Sequence, residues 1–301
     1  MSDRGEWLAR IASIRQWSRA GERAPHKPLL LLYAFGRLHR TGESAVSYGD
    51  AEPDLQRLLA DYGPPRATSP AYPFHYLQSD GLWTVDSPEG DPGASAGRLR
   101  SSGAVGSLVP ELEEALRRDP GLLVLGTRLL LDANFPESLR TELCEAVGLD
   151  VDSLEIGMAK TRASQLRRRD PQFRERVLVA YEFQCAMCGY DGRLATEAVG
   201  LDAAHLQWWV FHGPDTIDNA LCLCSFHHKL LDRGVLGVTP GCRVAVSNRF
   251  VGRGRAAEEL VLCLVDQPLL EPQPGLPHPG AGHIAWHTEQ VFRAPARVAA
   301  R

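Results

Sequence analysis

The sequence predicts an α+β fold divided into two domains. Its 301 residues, of which 44% are hydrophobic and 23% charged, are enough for two hydrophobic cores. Segments with helical periodicity dominate the first 150 residues, whereas strand-like runs and a cluster of cysteine and histidine residues follow in the second half. We therefore expect a helical N-terminal domain with a small β element and a C-terminal domain that mixes strands and helices.

Three helices are predicted near the N-terminus. In the first, apolar residues from Trp7 to Trp17 recur at three- and four-residue steps, which is typical of an amphipathic helix. In the second, Pro28 stands at a favourable helix start and Gly42 follows the end, and the apolar run between them indicates burial. The three segments are EWLARIASIRQWS, KPLLLLYAFGRLHRTG and AEPDLQRLLADYG.

A Pro-rich stretch after the third helix predicts a loop that leads into a short pair of strands, one near Leu77 and one at 83–85. The following SPEGDPGASAG predicts a flexible loop that ends on Arg98 and Arg100, because Gly, Pro and Ser favour turns. Helices are predicted again at VPELEEALRRDPG and FPESLRTELCEAVGL.

The domain boundary is placed where apolar density falls near residue 150 and basic residues begin. We expect an N-terminal domain over 1–155, a basic linker over 156–170 and a C-terminal domain over 171–301. The C-terminal domain should contain a helix at PQFRERVLVAYE and strands at CRVAVSNRF and ELVLCLV.

Composition and charge restrict the function. A net charge of -4 and a pI near 6.2 argue against a protein coated in positive charge, such as a non-specific DNA packager. Basic residues nevertheless cluster before residue 40 and over 160–176, which fits either a specific polyanion binder or ordinary solvated helix faces. Because no apolar run could span a membrane and the N-terminus lacks the apolar core of a secretory signal, we expect a cytoplasmic protein.

Four of the seven cysteines lie close together, and in a reducing compartment this pattern indicates a metal site rather than disulfides. Cys185 and Cys188 form a CxxC pair, and Cys224 and His227 form a CxxH pair at the same spacing. Two such pairs predict a closed tetrahedral site for a structural Zn²⁺. Cys222 is an alternative ligand, although the CxxH spacing favours its neighbour. The isolated cysteines, which we expect to be buried small hydrophobes, are Cys144, Cys242 and Cys263.

Three further polar residues in this region occur in the order His205, Asn219, His228. Together with the CxxC pair and the segment LCLCSFHH, this order resembles the HNH (ββα-metal) nuclease family over about seventy residues. The resemblance implies a β-hairpin and a helix clamped by zinc, with a separate catalytic divalent ion between them. It also implies hydrolysis of DNA phosphodiester bonds, which needs an activated water and positive charge near the scissile phosphate.

The resemblance assigns a role to each of these residues. His205 would be the general base, and an unperturbed pKa of about 6.5 suits that role at neutral pH. Asn219 would hold the hairpin loop and orient the imidazole. His228 would be a ligand of the catalytic ion, for which Mg²⁺ or Mn²⁺ is expected. Asp232 lies one helical turn later on the same face and could ligate the same ion.

One position departs from the family pattern. Many members carry Asp or His immediately before the general base, where this chain has Ala204. Asp202 or a water molecule could take the place of that ligand, which leaves the ligand number open. A degenerate nuclease fold used only for binding is the competing interpretation. A decayed site, however, should have lost at least one of His205, Asn219 and His228.

Short stretches of the N-terminal domain carry residues that suit a DNA backbone. His26 and Lys27 stand at the start of a buried helix, whose N-terminus favours a phosphate. Tyr72 and Pro73 stand in a compact apolar and aromatic turn. The candidate DNA-binding residues of these stretches are His26, Lys27, Tyr72, Pro73, Arg98 and Arg100.

With these motifs, residues 4–150 resemble the sulfur-binding domain of phosphorothioation-dependent restriction endonucleases. A phosphorothioate carries sulfur in place of a non-bridging phosphate oxygen, and sulfur is larger and more weakly hydrated. An apolar pocket formed by Tyr72 and Pro73 would therefore cost sulfur less desolvation than oxygen. The basic residues would hold the remaining backbone charge, and some could reach base edges. The alternative interpretation is that these motifs are only a helix cap, a turn and an ordinary surface arginine, without a role in DNA binding.

Together the two resemblances imply a modification-dependent (type IV) restriction endonuclease that recognises phosphorothioated double-stranded DNA and hydrolyses a phosphodiester nearby. A homodimer would supply the two active sites that cutting both strands requires. Two alternatives stay open. One is an HNH nuclease that targets another DNA modification, although the region of Tyr72 looks shallow for a flipped base. The other is a non-cleaving sensor of modified DNA.

Overall fold

A computed structural model describes residues 3–15, 22, 24–149, 170 and 172–298. The chain divides into two compact units, 1–165 and 166–301. Both contain helices and small sheets, so the predicted α+β class is confirmed. The predicted linker lies outside the described residues apart from Asp170. Within the described part of the chain, no helix has the length and apolar character needed to cross a membrane.

The N-terminal unit is built around its second helix, which is apolar on all sides and therefore belongs in a core. At Gly36, a Cβ atom would stand 1.9 Å from the carbonyl oxygen of Val147, so glycine allows this helix to approach the helix that ends at Val147. The second helix ends where Gly42 adopts a φ of 78°. The helices are α1 (Asp3–Ala12), α2 (His26–Thr41), α3 (Tyr48–Tyr62), α4 (Ala71–Tyr76), α5 (Ala96–Ser101), α6 (Pro110–Arg118), α7 (Pro120–Asn134) and α8 (Glu137–Val147).

A three-stranded antiparallel sheet completes this unit. Its strands are β1 (Val46–Ser47), β2 (Trp83–Asp86) and β3 (Val105–Leu108), in the spatial order β1-β3-β2. The strand predicted near Leu77 is wrong, because that residue opens a 3-10 helix that ends at Gly81 with a φ of 68°. The partner of β2 is β3, where Gly106 leaves room for the ring of Trp83; a Cβ atom there would come within 2.2 Å of that ring.

Three helices differ from the prediction. Tyr72 and Pro73 lie in α4 rather than in a turn, and proline is tolerated there because the first helical turn has backbone N–H groups without helical partners. Arg98 and Arg100 lie on α5, which Ser95 caps, rather than at the end of a loop. α7 was not predicted, since its nearly continuous apolar run lacks a clear period.

The C-terminal unit contains a β-hairpin followed directly by a helix. The hairpin strands pair antiparallel, from Leu201 opposite Cys224 to His205 opposite Ala220. The elements of this unit are α9 (Phe173–Ala180), β4 (Arg193–Leu194), β5 (Glu197–Ala198), β6 (Leu201–His205), β7 (Ala220–Cys224), α10 (Ser225–Asp232), β8 (Leu236–Val238), β9 (Val244–Val246), α11 (Arg255–Leu260) and α12 (Ala281–Gln290). The hairpin is β6 and β7, and α10 is the helix that follows it.

The strand predicted at ELVLCLV is wrong. α11 ends at Leu260, and a 3-10 helix over Leu262–Leu264 follows. Val261 and Leu264, three residues apart, both pack into the core of this unit, while β9 pairs with β8. An apolar run this short does not distinguish a strand from a helix by its pattern alone.

Candidate functional site

Four side chains predicted as zinc ligands meet in the C-terminal unit. The Sγ atoms of Cys185, Cys188 and Cys224 and a ring nitrogen of His227 all lie within 4.8 Å of one another. We call these four residues the Cys₃His cluster. β7 ends at Cys224 and α10 carries His227 in its first turn, so the junction of strand and helix brings the CxxH pair together. The cluster could hold one metal ion.

The imidazole of His227 is oriented for metal binding. Its Nε2 donates a hydrogen bond to the carbonyl oxygen of Leu260 at 2.8 Å. With the proton on Nε2, the lone pair of Nδ1 faces the sulfur atoms of Cys185 and Cys224, at 3.5 Å and 3.3 Å. A hydrogen bond of this kind fixes the tautomer and the ring orientation of a metal-binding histidine. Three sulfurs and one imidazole nitrogen are a donor set that fits a four-coordinate ion.

Cys222 lies outside the cluster. Its side chain is fully buried, and burial raises the pKa of its thiol to about 12, so it stays protonated and is a poor ligand. Its carbonyl oxygen accepts from the N–H of Ala186 at 2.7 Å, which joins the CxxC loop to β7. Cys144 is buried as expected. Cys242 is half-buried and Cys263 is exposed, which corrects the prediction for those two residues.

The side chain of Asn219 closes the loop between the two hairpin strands. It is fully buried, and its Oδ1 accepts from the N–H of Gln207 at 2.8 Å. Its Nδ2 donates to the carbonyl oxygens of Gln207 and Pro214, both at 3.0 Å. An amide suits this position because it offers a donor and an acceptor from one planar group.

His205 ends β6, and its ring is held on two sides. The ring of Phe173 stacks on it with 4.5 Å between centroids. Its Nε2 lies 2.9 Å from Oδ1 of Asp215. Asn219 bonds to the backbone of the loop and not to this ring, and the same loop supplies the carboxylate that contacts the ring. Sequence reasoning missed Asp215 because neither its spacing from His205 nor its neighbours mark the contact.

His228 lies between two carboxylates. Its Nδ1 is 3.7 Å from Oδ2 of Asp202, and its Nε2 is 3.3 Å from Oδ2 of Asp232. Burial of the imidazole opposes its charged form, but the two carboxylates outweigh burial and raise the pKa of His228 to about 10. The hydrogen bond with His228 in turn lowers the pKa of Asp202 from its ordinary value.

The three predicted ligands of the catalytic ion do not converge on a single point. The two nitrogens of one imidazole point in different directions, so an ion on Nδ1 of His228 would be shared with Asp202, and an ion on Nε2 with Asp232. Ala204 is buried and offers no ligand atom. Asp202 precedes it by two residues, so the two side chains share one face of β6. Asp202 is thus on the face where the family pattern expects a ligand.

A cavity of about 600 Å³ lies at the start of α2 in the N-terminal unit. We call it the α2 pocket. Four of the six predicted DNA- and sulfur-binding residues line it: His26, Lys27, Tyr72 and Pro73. The lining residues that sequence reasoning missed are Arg15, Ala24, Arg66, Thr68, Tyr76 and Ser79. Tyr76 lies one turn from Tyr72 on α4, whereas Arg15, Ala24 and Arg66 come from other segments that no local motif links to it.

The α2 pocket combines a paired cation with exposed aromatic rings. The Nζ of Lys27 donates to Oδ2 of Asp80 at 2.6 Å, and Asp80 also accepts from the backbone N–H of Arg15 at 3.0 Å. The rings of Tyr72 and Tyr76 lie nearly parallel, 6.2 Å apart, and each side chain is about half exposed. Large exposed rings beside basic groups suit a ligand that has both an anionic and a polarisable part.

Arg98 and Arg100 do not line the α2 pocket. Arg100 donates to both carboxylate oxygens of Glu52 at 2.5 Å and 2.9 Å, and this hydrogen bonding lowers the pKa of Glu52. Arg98 donates to the carbonyl oxygen of Asp91 at 3.4 Å. The prediction that both arginines hold the charge of a DNA backbone therefore concerns a surface outside this pocket and stays a prediction. α5 turns Arg100 towards α3, where it forms an ion pair.

Two family models match the chain. Residues 4–152 match the DNA sulfur-binding domain of ScoMcrA-like proteins. Residues 185–239, which include the Cys₃His cluster and the hairpin, match the HNH endonucleases. No curated protein sequence is significantly similar to the chain.

Several solved structures are similar to the chain. The sulfur-binding domain of SprMcrA, complexed with phosphorothioated DNA, is 27% identical, with a TM-score of 0.44 over 50% of this chain and 97% of that one. The corresponding domain of ScoMcrA, also complexed with phosphorothioated DNA, is 23% identical, with a TM-score of 0.42 over 49% of this chain and 98% of that one. The type IV phosphorothioation-dependent restriction endonuclease ScoMcrA is 21% identical, with a TM-score of 0.39 over 54% of this chain and 30% of that one.

Proposed function

We propose that this chain, which joins a ScoMcrA-like DNA sulfur-binding domain to an HNH endonuclease domain, cuts DNA close to a phosphorothioate. The HNH domain makes it a DNA-hydrolysing enzyme, and the pair of domains matches a phosphorothioation-dependent restriction endonuclease. The observation that carries the proposal is that one chain holds both the α2 pocket and the hairpin with His205. We assign 1–155 to DNA recognition, 156–170 to a linker and 171–301 to cleavage.

His205 would start the hydrolysis by removing a proton from water. The water oxygen then forms a bond to phosphorus, the bond between phosphorus and the 3′ oxygen breaks, and a solvent proton neutralises the departing oxygen. His205 ends a strand and is stacked on Phe173, so its ring is held in place before the substrate arrives. Asn219 contributes by holding the loop that follows His205 in one conformation.

A divalent cation, Mg²⁺ or Mn²⁺, would supply positive charge to the scissile phosphate and to the 3′ oxygen as it leaves. Oxygen and imidazole ligands suit these ions. We assign His228 and Asp202 as its ligands, because they face each other and Asp202 shares the face of β6 with the position of the missing family ligand. Asp232 is buried against the other ring nitrogen, where it would orient His228.

The Cys₃His cluster is assigned to a structural Zn²⁺. Its four donors leave no position for substrate, which is the arrangement of structural rather than catalytic zinc sites. His227 is buried and its tautomer is fixed by Leu260, so the cluster can bind the ion with little rearrangement. The ion would clamp the CxxC loop to the junction of β7 and α10.

The α2 pocket is assigned to the phosphorothioate. The rings of Tyr72 and Tyr76, with Pro73, offer apolar surface to the weakly hydrated sulfur. Lys27 faces the same cavity, but its charge is partly balanced by Asp80. Because Asp80 partly neutralises Lys27, the pocket attracts an ordinary phosphate oxygen less strongly. The apolar contact with sulfur then contributes a larger share of the binding free energy. Arg98 remains a candidate for a backbone contact outside the pocket, whereas Arg100 is committed to Glu52.

Cutting both strands of a duplex requires two active sites or two binding events, so we propose that the enzyme acts as a homodimer on double-stranded DNA. DNA as the substrate and reduced cysteines as metal ligands support our proposal of a cytoplasmic location.

The test is binding and cleavage of matched duplexes that differ in a single phosphorothioate, in several sequence contexts and with Mn²⁺ or Mg²⁺. We expect selective binding and cutting of the sulfur-containing duplex, and loss of cutting with retained binding in His205→Ala. Equal cutting of both duplexes would overturn the sulfur specificity and point to another DNA mark. Selective binding without any cutting would instead identify a sensor of modified DNA.

A further inference from the structure

Asp215 is a carboxylate beside the candidate general base that the HNH pattern does not include. Its Oδ1 lies 2.9 Å from Nε2 of His205, and both side chains are largely shielded, at 14% and 13% exposure. A hydrogen bond between shielded groups is stronger than one in water, because solvent does not compete for either partner. The contact therefore has the strength to select one orientation of the ring.

Asp215 is itself held from two directions. Its Oδ2 accepts from the backbone N–H of Asp170 at 3.0 Å, and its carbonyl oxygen accepts from the guanidinium of Arg176 at 3.0 Å. Arg176 also forms an ion pair with the carboxylate of Asp170. Both carboxylate oxygens of Asp215 thus have a donor, so the group cannot rotate away from His205 without losing a hydrogen bond.

We infer that Asp215 is a positioning residue that sets the tautomer of His205. An ionised carboxylate only accepts hydrogen bonds, so the neutral imidazole must carry its proton on Nε2. The lone pair then resides on Nδ1, and Nδ1 is the atom that takes the proton from water. The carboxylate also stabilises the imidazolium that results from this transfer, which is the logic of carboxylate–histidine pairs in hydrolases. The inference rests on the nuclease function proposed above.

Substitution by asparagine gives a sharp test, because an amide can reverse the hydrogen bond. In Asp215→Asn, the amide oxygen can accept from Asp170 while the amide nitrogen donates to Nε2 of His205. Packing is preserved, but the proton of the imidazole moves to Nδ1 and the general base loses its lone pair at that atom. We expect the cleavage rate at saturating phosphorothioated duplex to fall about 1,000-fold, with DNA affinity unchanged.

Two companion variants separate positioning from a structural role. Asp215→Ala leaves the tautomer unrestrained rather than reversed, so its loss should be smaller, about 10- to 100-fold. Asp215→Glu keeps an acceptor and should recover part of the rate. The expected order of rates is wild type, Glu, Ala, Asn. A purely structural role predicts another order, in which Ala is the slowest because it removes every side-chain contact and Asn is close to wild type. That order would overturn the inference.

The tautomer can be read directly on the full chain labelled with ¹⁵N-histidine. Long-range ¹H–¹⁵N correlations distinguish Nδ1–H from Nε2–H, and comparison with His205→Ala assigns the signal. We expect Nε2–H in wild type and Nδ1–H in Asp215→Asn; the same tautomer in both would also overturn the inference. The matched control is Asp218→Asn, a carboxylate of the same loop that faces His283 instead, at 3.7 Å, and it should cut like wild type.

Comparison of His205→Ala with Asp215→Asn distinguishes failure of the proposed nuclease function from failure of the inference about Asp215. If His205→Ala retains cleavage, the proposed function of His205 fails, and the inference fails with it. If His205→Ala abolishes cleavage while Asp215→Asn cuts at the wild-type rate, only the inference about Asp215 is overturned.

Discussion

The Cys₃His cluster and the α2 pocket differ in how their residues are distributed along the chain. The cluster consists of two pairs with fixed short spacings, and its members contact each other directly. The pocket is lined by residues from several segments between Arg15 and Ser79, with a buried aspartate behind its lysine. A site made of closely spaced pairs can be predicted from a sequence, whereas a site made of distant segments can be recognised only in the folded structure. The two sites should therefore also respond differently to substitution.

The largest effect is expected from removing the ion of the Cys₃His cluster. Cys185→Ser, or a strong chelator, should abolish the unfolding transition of the C-terminal domain and all cleavage, since such ions contribute folding free energy directly. Binding of the phosphorothioated duplex should persist, because the α2 pocket belongs to the other unit. Calorimetry, zinc analysis and DNA binding measure these three outcomes. Cys263→Ser, at an exposed cysteine outside the cluster, is the control. Loss of duplex binding in Cys185→Ser would show that the α2 pocket depends on the cluster, contrary to this expectation.

The next effect concerns the ion proposed at His228. His228→Ala should lower the cleavage rate at least 100-fold and leave duplex affinity unchanged, because the ion acts on the scissile phosphate and not in the pocket. The measurement is a single-turnover cleavage assay over a range of Mn²⁺ concentrations. His278→Ala, an exposed histidine of the same unit, serves as the control. A His228 variant that cuts at the wild-type rate would remove this residue from the ligand set.

A smaller effect is expected in the α2 pocket. Tyr72→Ala should weaken binding of the phosphorothioated duplex about 10-fold, because about 1–2 kcal/mol of ring contact is lost. Binding of the unmodified duplex should change less, so the selectivity ratio falls. The cleavage rate at saturating DNA should stay the same. Tyr190→Ala removes another exposed tyrosine, from the other unit, and is the control. An equal loss for both duplexes would mean that Tyr72 binds DNA without reading the sulfur.

The smallest effect is expected at Arg100. Arg100→Gln breaks the hydrogen bonds with Glu52, and both groups are near the surface, so stability should fall only slightly. The paired state lowers the pKa of Glu52, so the small stabilisation is present above its ordinary pKa and is lost as pH falls through the lowered value. Duplex affinity should be unchanged in Arg100→Gln but reduced in Arg98→Gln. Melting curves and binding isotherms at pH 7 and pH 3 test both statements. A clear loss of affinity in Arg100→Gln would return this residue to the DNA-binding set.

Much of the candidate site in the C-terminal unit was predictable because its residues lie at short, characteristic spacings in the sequence. The spacing of Cys224 and His227 matches a strand that runs into a helix, and the order of His205 and Asn219 matches the two ends of a hairpin loop. The partner of His205 was not predictable. Asp215 lies between two short 3-10 helices of the hairpin loop, Trp209–Phe211 and Ile217–Asn219, and no periodicity in the sequence predicts the path that brings it to the ring.

The N-terminal unit shows the same limit in its fold. α2 was predictable from its apolar run and its terminal glycine, whereas α7 and β3 were not. β3 packs beside Trp83 because Gly106 leaves space for its ring, and these two residues are more than twenty positions apart in the sequence. The ion pair of Arg100 was missed for a similar reason, since only the packing of α5 near α3 brings it to Glu52.

The sequence by itself determined the α+β class, the metal-binding pairs and the order of the candidate nuclease residues, because each depends on composition or on spacings shorter than one supersecondary unit. Only the tertiary structure decided that Asp215 holds His205, that Asp80 forms an ion pair with Lys27 and that Arg15 and Arg66 line the same pocket as Tyr72. Those contacts arise when separate segments pack against each other. Packing depends on the shape of the whole core and not on any local pattern.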